Sequence, residues 1–161
     1  MINRPVMMEN GADVVETKSD EPSKVRIRLF NFGKSVAPML MAPGHIFVRN
    51  QAPFDASCNE HGSWPTGYTI TGLAPGAPFF QEWPLAAGEN LAEAKQGKSI
   101  YVVGCAYYTA LDKKVYFSDI CMTWNSHDGF QVCREGNRNY VHREGSAKIL
   151  ALCERCRLAS R

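Results

Sequence analysis

The sequence predicts an all-β domain, an antiparallel sandwich, on three observations. Apolar and polar residues alternate at a period of two in several short runs; glycine, proline, asparagine and aspartate punctuate those runs; only one short internal stretch has helix-forming composition. The 161 residues fit one domain, able to bury roughly two-thirds of its unfolded surface without a metal or disulfides. A hydrophobic share of 45% beside 21% charged residues is that of a globular chain, which excludes wholesale disorder.

Residues 1–24 mix a short apolar patch (Val6, Met7, Met8) with acidic and turn-forming residues, and form either an edge strand or a loose arm. The sandwich core is predicted over 25–134. In KVRIRLFN, Val25, Ile27 and Leu29 alternate with Arg26 and Arg28, as in a strand with one buried and one wet face. Asn31 and Gly33 then turn the chain. GHIFVRN reads as a strand, residues 52–67 as a long loop rich in Pro, Gly, Ser and Asp, and YTITGL as a short strand. Pro75 followed by Gly76 suits a type II turn, because proline presets the first central φ and glycine accepts the positive second one. FFQEWPLA follows as a strand whose Pro84, lacking an N–H, belongs at an edge. ENLAEAKQGK predicts a short connecting helix ended by Gly97.

The segment SIYVVGCAYYTALDKKVYFSDICMTWN predicts two long strands. If ALDKK and NSHDG close successive hairpins, Thr109 pairs with Val115 and Trp124 with Phe130. One face then collects Ile100, Val102, Gly104, Ala106, Tyr108, Tyr116, Ile120, Met122, Trp124, Phe130 and Val132. Burial of a large apolar side chain contributes roughly 1.5–3 kcal/mol, so this stripe reads as core rather than binding surface. The opposite face (Tyr101, Val103, Cys105, Tyr107, Phe117, Asp119, Cys121, Thr123) is more mixed and is the candidate for a partner-facing or second-layer surface. The same register sets Cys121 opposite Cys133. Two buried thiols are the simpler reading, and a disulfide is the alternative that needs only local adjustment.

A formal charge of +2 is too small to imply nucleic acid, and no stretch is long and apolar enough for a membrane helix or a secretory signal, so the chain reads as soluble with no membrane span. Six cysteines leave the compartment open. Residues 146–158 predict a C-terminal helix capped by Ser146, with Ile149, Leu152, Cys153 and Cys156 on one face. Cys153 and Cys156 form a C-x2-C, and Cys58 with His61 in the long loop a C-x2-H; together they could complete a Cys3His zinc site, although a single C-x2-C is a weak signal and packed or idle thiols are the plainer reading. His45, His61, His127 and His142 are scattered, His127 and Asp128 reading as solvated turn residues and His45 as a strand-end residue. Asp119 is a hydrogen-bonded or solvent-facing aspartate before it is a tuned acid. No nucleophile elbow, phosphate-cradling loop or H-E-x-x-H is present, and no catalytic residue is assigned.

VRIRLFNFGKSVAP, then LAPG, then ENLAEAKQGKSIYVVGCAYYTALDKKVYFSDICMTWN with a later FQVC, resembles an uncharacterised family of bacterial β-domain proteins. The resemblance covers roughly residues 4–133, and its motifs mark turns and packing. It implies an immunoglobulin-like sandwich and no known activity. Many members carry one or two membrane helices ahead of the domain, which this chain lacks, and its C-terminal segment adds further cysteines. The expected function is a non-catalytic interaction module meeting a protein partner or a second copy of itself. The alternative is a metal- or thiol-dependent sensor or enzyme using Cys58, His61, Cys153 and Cys156. A small-ligand pocket between the sheets is a third reading.

Overall fold

The computed structural model describes residues 5–53, 69–111, 115–133 and 143–144. The chain builds two antiparallel sheets. The smaller has the order β1 (Met7–Lys18), β2 (Glu21–Asn31), β6 (Pro78–Pro84). The larger is centred on β7 (Ser99–Thr109), which pairs with β8 (Val115–Asn125) along one edge. Along its other edge β7 meets β4 (Gly44–Arg49) and then β3 (Ala37–Met41), and β5 (Thr69–Leu73) lies outside β3. Short strands β9 (Gly129–Val132) and β10 (Arg143–Glu144) share the far edge of β8.

The N-terminal region is a strand at the edge of the smaller sheet, bulged where its register shifts between Glu9 and Ala12 and again near Glu16. Such irregularities increase local twist and interrupt a flat edge. In β2 the predicted alternation holds: Val25, Ile27 and Leu29 are buried while Arg26 and Arg28 are exposed. Pro84 ends β6, itself an edge strand, where a missing N–H leaves no ladder partner short. At the predicted turn, Ala77 N donates to Ala74 O at 3.1 Å and Gly76 has φ 75°, as a type II turn requires. The connecting helix is a single 3-10 segment, Leu91–Gln96. Asn90 Oδ1 caps its start by accepting from Ala92 N, and Gly97 closes it at φ 96°.

Both register predictions hold, Thr109 facing Val115 and Trp124 facing Phe130. The inner faces of the two sheets form one core, with Val25, Ile27, Leu29 and Trp83 from the smaller and Ile46, Val102, Tyr108 and Ile120 from the larger. Of the predicted stripe, Ile100, Val102, Ala106, Tyr108, Tyr116, Ile120 and Met122 are buried in it, and Trp124 and Phe130 pack half-buried against it. Val132 departs from the stripe: it keeps 54% exposure on the outermost row, since opposition to Met122 sets a face but not whether that face is covered.

The opposite face of β7 and β8 is covered in part, with Tyr101, Tyr107 and Thr123 left half-buried. Val103, Cys105, Asp119 and Cys121 are buried, and Phe47, Val103, Cys121 and Cys133 form a second, smaller apolar cluster. Cys121 and Cys133 are joined by a disulfide across a Cα separation of 5.5 Å, correcting the reading of two free thiols; direct opposition on neighbouring rows already placed the pair within bonding reach. Cys105 is disulfide-bonded as well. The predicted C-terminal helix, 146–158, lies outside the described residues.

Candidate functional site

The outward face of the smaller sheet divides into two halves. Alternation turns Lys24, Arg26, Arg28 and Phe30 of β2 outward beside Phe80 and Glu82 of β6, with Arg28 across from Phe80 and Arg26 across from Glu82. At the charged end, Glu82 bridges Lys24 and Arg26 at 2.6 and 2.9 Å. Hydrogen bonding to Lys24 and then Arg26 draws the Glu82 carboxyl below its usual value, and the same contact raises Lys24. All three side chains are solvent-screened, so the cluster orders this end of the face without adding much stability.

The other end is apolar and uncovered. Phe32 and Phe80 keep 55% and 52% exposure, and the Phe30 ring lies 4.9 Å from that of Phe32, tilted against it. Arg28 stands where the two halves meet, its Nε donating to the carbonyl of Asn10 at 2.8 Å. Large exposed aromatics grouped on one face beside a guanidinium have the composition of an interface rather than of ordinary surface.

Asn31 holds the turn that presents Phe32. Its Nδ2 donates to Ser35 O and Leu73 O at 3.0 and 3.1 Å, while its Oδ1 accepts from Gly33 N and Val6 N at 3.0 and 3.3 Å. A buried amide with both ends satisfied fixes the turn's geometry.

Two open clefts flank the 3-10 helix. One, about 380 Å³, is lined by Arg49, Asn50, Glu89, Glu93 and Lys98 among others. Its Glu89 is already engaged: Oε2 accepts from Val48 N at 2.7 Å and Oε1 from Arg49 Nε at 3.1 Å, while Arg49 also lies 5.0 Å over the Phe47 ring. Lys98 pairs with Glu93. The other, about 430 Å³, opens between the β1–β2 turn, the end of the 3-10 helix and the β8–β9 turn, with Asp20, Glu21, Lys95, Lys98, Trp124 and Asn125 in its wall.

The residues singled out for metal or thiol chemistry, Cys58, His61, Cys153 and Cys156, lie outside the described residues, as do His142 and most of the 52–67 loop. Among the described residues, no group of three or more His, Cys, Asp or Glu side chains could hold a metal ion. His127 and Asp128 are exposed in the β8–β9 turn, their N–H groups donating to Asn125 Oδ1 at 2.9 and 2.6 Å. His45 is half-buried on β4, edge-on to Phe47, and burial lowers its pKa against a raising contact with the Pro84 backbone. Asp119 is buried on β8. These groups do not converge on one site. Sequence reasoning missed Phe32, Phe80, Glu21 and the cleft role of Trp124. The adjacent phenylalanines of FFQEWP were the available signal for Phe80, since a strand can turn only one of two neighbours inward.

No family model matches the chain, and no characterised protein is significantly similar to it in sequence. Among the described residues no helix is long and apolar enough to cross a membrane.

Proposed function

We propose that this chain is a non-catalytic interaction module that meets a protein partner through the aromatic half of the smaller sheet's outer face. The observation that carries the reading is the paired exposure of Phe32 and Phe80 beside Phe30, on a turn braced by the buried Asn31. A monomeric domain gains nothing from leaving such rings in water, whereas a partner covering them recovers their burial energy. Lys24 and Arg26 are matched by Glu82, whereas Arg28, at the border of the aromatic half, is held through its Nε by the Asn10 carbonyl. The partner is therefore a protein segment offering apolar side chains with a carboxylate placed to meet Arg28.

The scaffold reading that accompanies this is an immunoglobulin-like sandwich of the bacterial β-domain family that the turn motifs resemble. Two antiparallel sheets sharing a core around a buried tryptophan support it.

A photo-crosslinking amino acid at position 80, introduced in the producing cell, tests the function. It is expected to trap one discrete protein adduct, either a second copy or another chain, which disappears on Phe32→Ser or Arg28→Glu while the same probe at exposed Leu111 traps none. Absence of an adduct at position 80, or equal trapping at both positions, overturns the proposal. Circular dichroism confirms that the variants remain folded.

A further inference from the structure

The inward face of β2 begins, at the mouth between the two sheets, with two polar residues before its apolar run. Glu21 and Ser23 are both at least nine-tenths buried, and neither Glu21 Oε2 nor Ser23 Oγ has a hydrogen-bond partner among the described residues. Buried oxygens without donors are costly and uncommon in folded proteins, and a bound molecule beside Glu21 is one way to supply the missing donor. Glu21 is also part of the wall of the 430 Å³ cleft, whose volume lies within the range of small-molecule sites.

The rest of that wall says which class of molecule fits. Asp20 and Glu21 stand against Lys95 and Lys98, and Lys98 is itself paired with Glu93 beyond the wall, so the site carries at most a small acidic balance and has nothing to hold an anion. Carboxyl and ammonium groups put hydrogen-bond acceptors and donors side by side, with the hydroxyls of Ser99 and Ser126 beside them, while the Asn125 amide is engaged within its own turn. Trp124, half-buried near the end of β8, contributes a flat apolar wall.

We propose that this cleft binds a neutral sugar, a pyranose lying against Trp124 and donating a hydroxyl toward Glu21. A polyhydroxylated ring is apolar on its faces and both donor and acceptor at its rim, which is the combination the wall offers, and it carries no charge for the mixed lysines and acids to repel. The site is separate from the aromatic sheet face, so the two readings stand or fall independently.

The test is a titration of the isotope-labelled full chain, followed by amide and indole resonances. The probes are the methyl glycosides of glucose, galactose, mannose and N-acetylglucosamine, then the corresponding β-linked disaccharides. Saturable shifts are expected at 19–21, 95–100 and 124–126 and at the Trp124 indole. Equal affinity for both sets identifies a free sugar, tighter disaccharide binding the end of a glycan. Trp124→Ala and Glu21→Gln are each expected to weaken binding about tenfold, the worth of one stacked or charge-assisted contact. Glu21→Gln is expected to melt no lower than the parent chain, because it removes an acid whose Oε2 lacks a partner, so loss of binding there is not loss of fold. Two results overturn the proposal: stronger saturation by arginine methyl ester or inorganic phosphate than by any sugar, or no saturable shift with any probe, in which case the oxygens hold water only.

Discussion

Trp83 of the smaller sheet stands directly over Gly104 of the larger one. A Cβ built on Gly104 would come within 2.5 Å of Trp83 Cη2 and 2.4 Å of the Pro43 carbonyl oxygen. Gly44, the ladder partner of Gly104, is equally close to the indole. The jog between β3 and β4 completes the socket: Trp83 Nε1 donates to Ala42 O at 2.7 Å, and Cys105 N donates to Pro43 O at 2.9 Å. The two glycines are thus a steric requirement of sheet-to-sheet packing. Gly104→Ala is expected to cost about 3 kcal/mol, at the upper end for overpacking, because one of the atoms met is backbone. Urea unfolding monitored by circular dichroism measures it. A loss under about 0.5 kcal/mol would mean that the indole does not occupy this socket.

Asn31 offers a second, polar test of the same scaffold. Asn31→Asp keeps the size and the acceptor for Val6 and Gly33 but replaces the donor that faces the Ser35 and Leu73 carbonyls. Setting an acceptor against two carbonyls in a buried site is expected to cost about 2–3 kcal/mol. Asn31→Ala, which leaves all four partners unsatisfied, is expected to cost at least as much. Equal denaturation midpoints for parent and Asn31→Asp would show that the turn is held by other contacts.

What was legible in the sequence follows from where local pattern and tertiary environment agree. β2 could be read because its outer face is wet, so Arg26 and Arg28 mark the period. The β7–β8–β9 register could be read because its turn at Asn125 has side-chain chemistry that closes it locally. β3 was not read: Pro38 interrupts a run of Ala, Met and Leu that has no polar alternation, and the strand exists because β5 and β7 flank it. The covalent state of Cys121 and Cys133 was not legible either, since register predicts proximity and not oxidation. The sugar cleft depends on three segments far apart in the chain, and Glu21, in TKSDEPSK, has the local look of a turn residue.

The Cys121–Cys133 bridge closes a short loop of sequence separation 12. A loop of that length constrains the unfolded chain by about 2–3 kcal/mol in the chain-entropy description. Cys121→Ala/Cys133→Ala is therefore expected to lower the unfolding free energy from urea titration by at least that amount, with little change in slope. The replaced sulfurs sit in the small cluster with Phe47 and Val103, so a further loss from packing accompanies it. A double variant as stable as the parent would mean that the bridge does not form in solution, which a mass measurement with and without reductant would confirm.

His45 gives the fold a pH dependence whose sign is set by burial. Desolvation lowers its pKa in the folded chain, with a smaller opposing contribution from the Pro84 backbone. The neutral ring is thus the form that the folded state prefers. Above about pH 6.5, where an unfolded histidine is neutral too, the full stability is present. As the pH falls below that value the unfolded chain takes up its proton first, and stability drains away until the folded value is passed. Urea midpoints measured downward from pH 7 should therefore decline, and His45→Gln, which cannot bind the proton, should remove part of that decline without reversing its direction. Should the His45→Gln profile superimpose on that of the parent, the decline would belong to other groups and His45 would not be desolvated in solution.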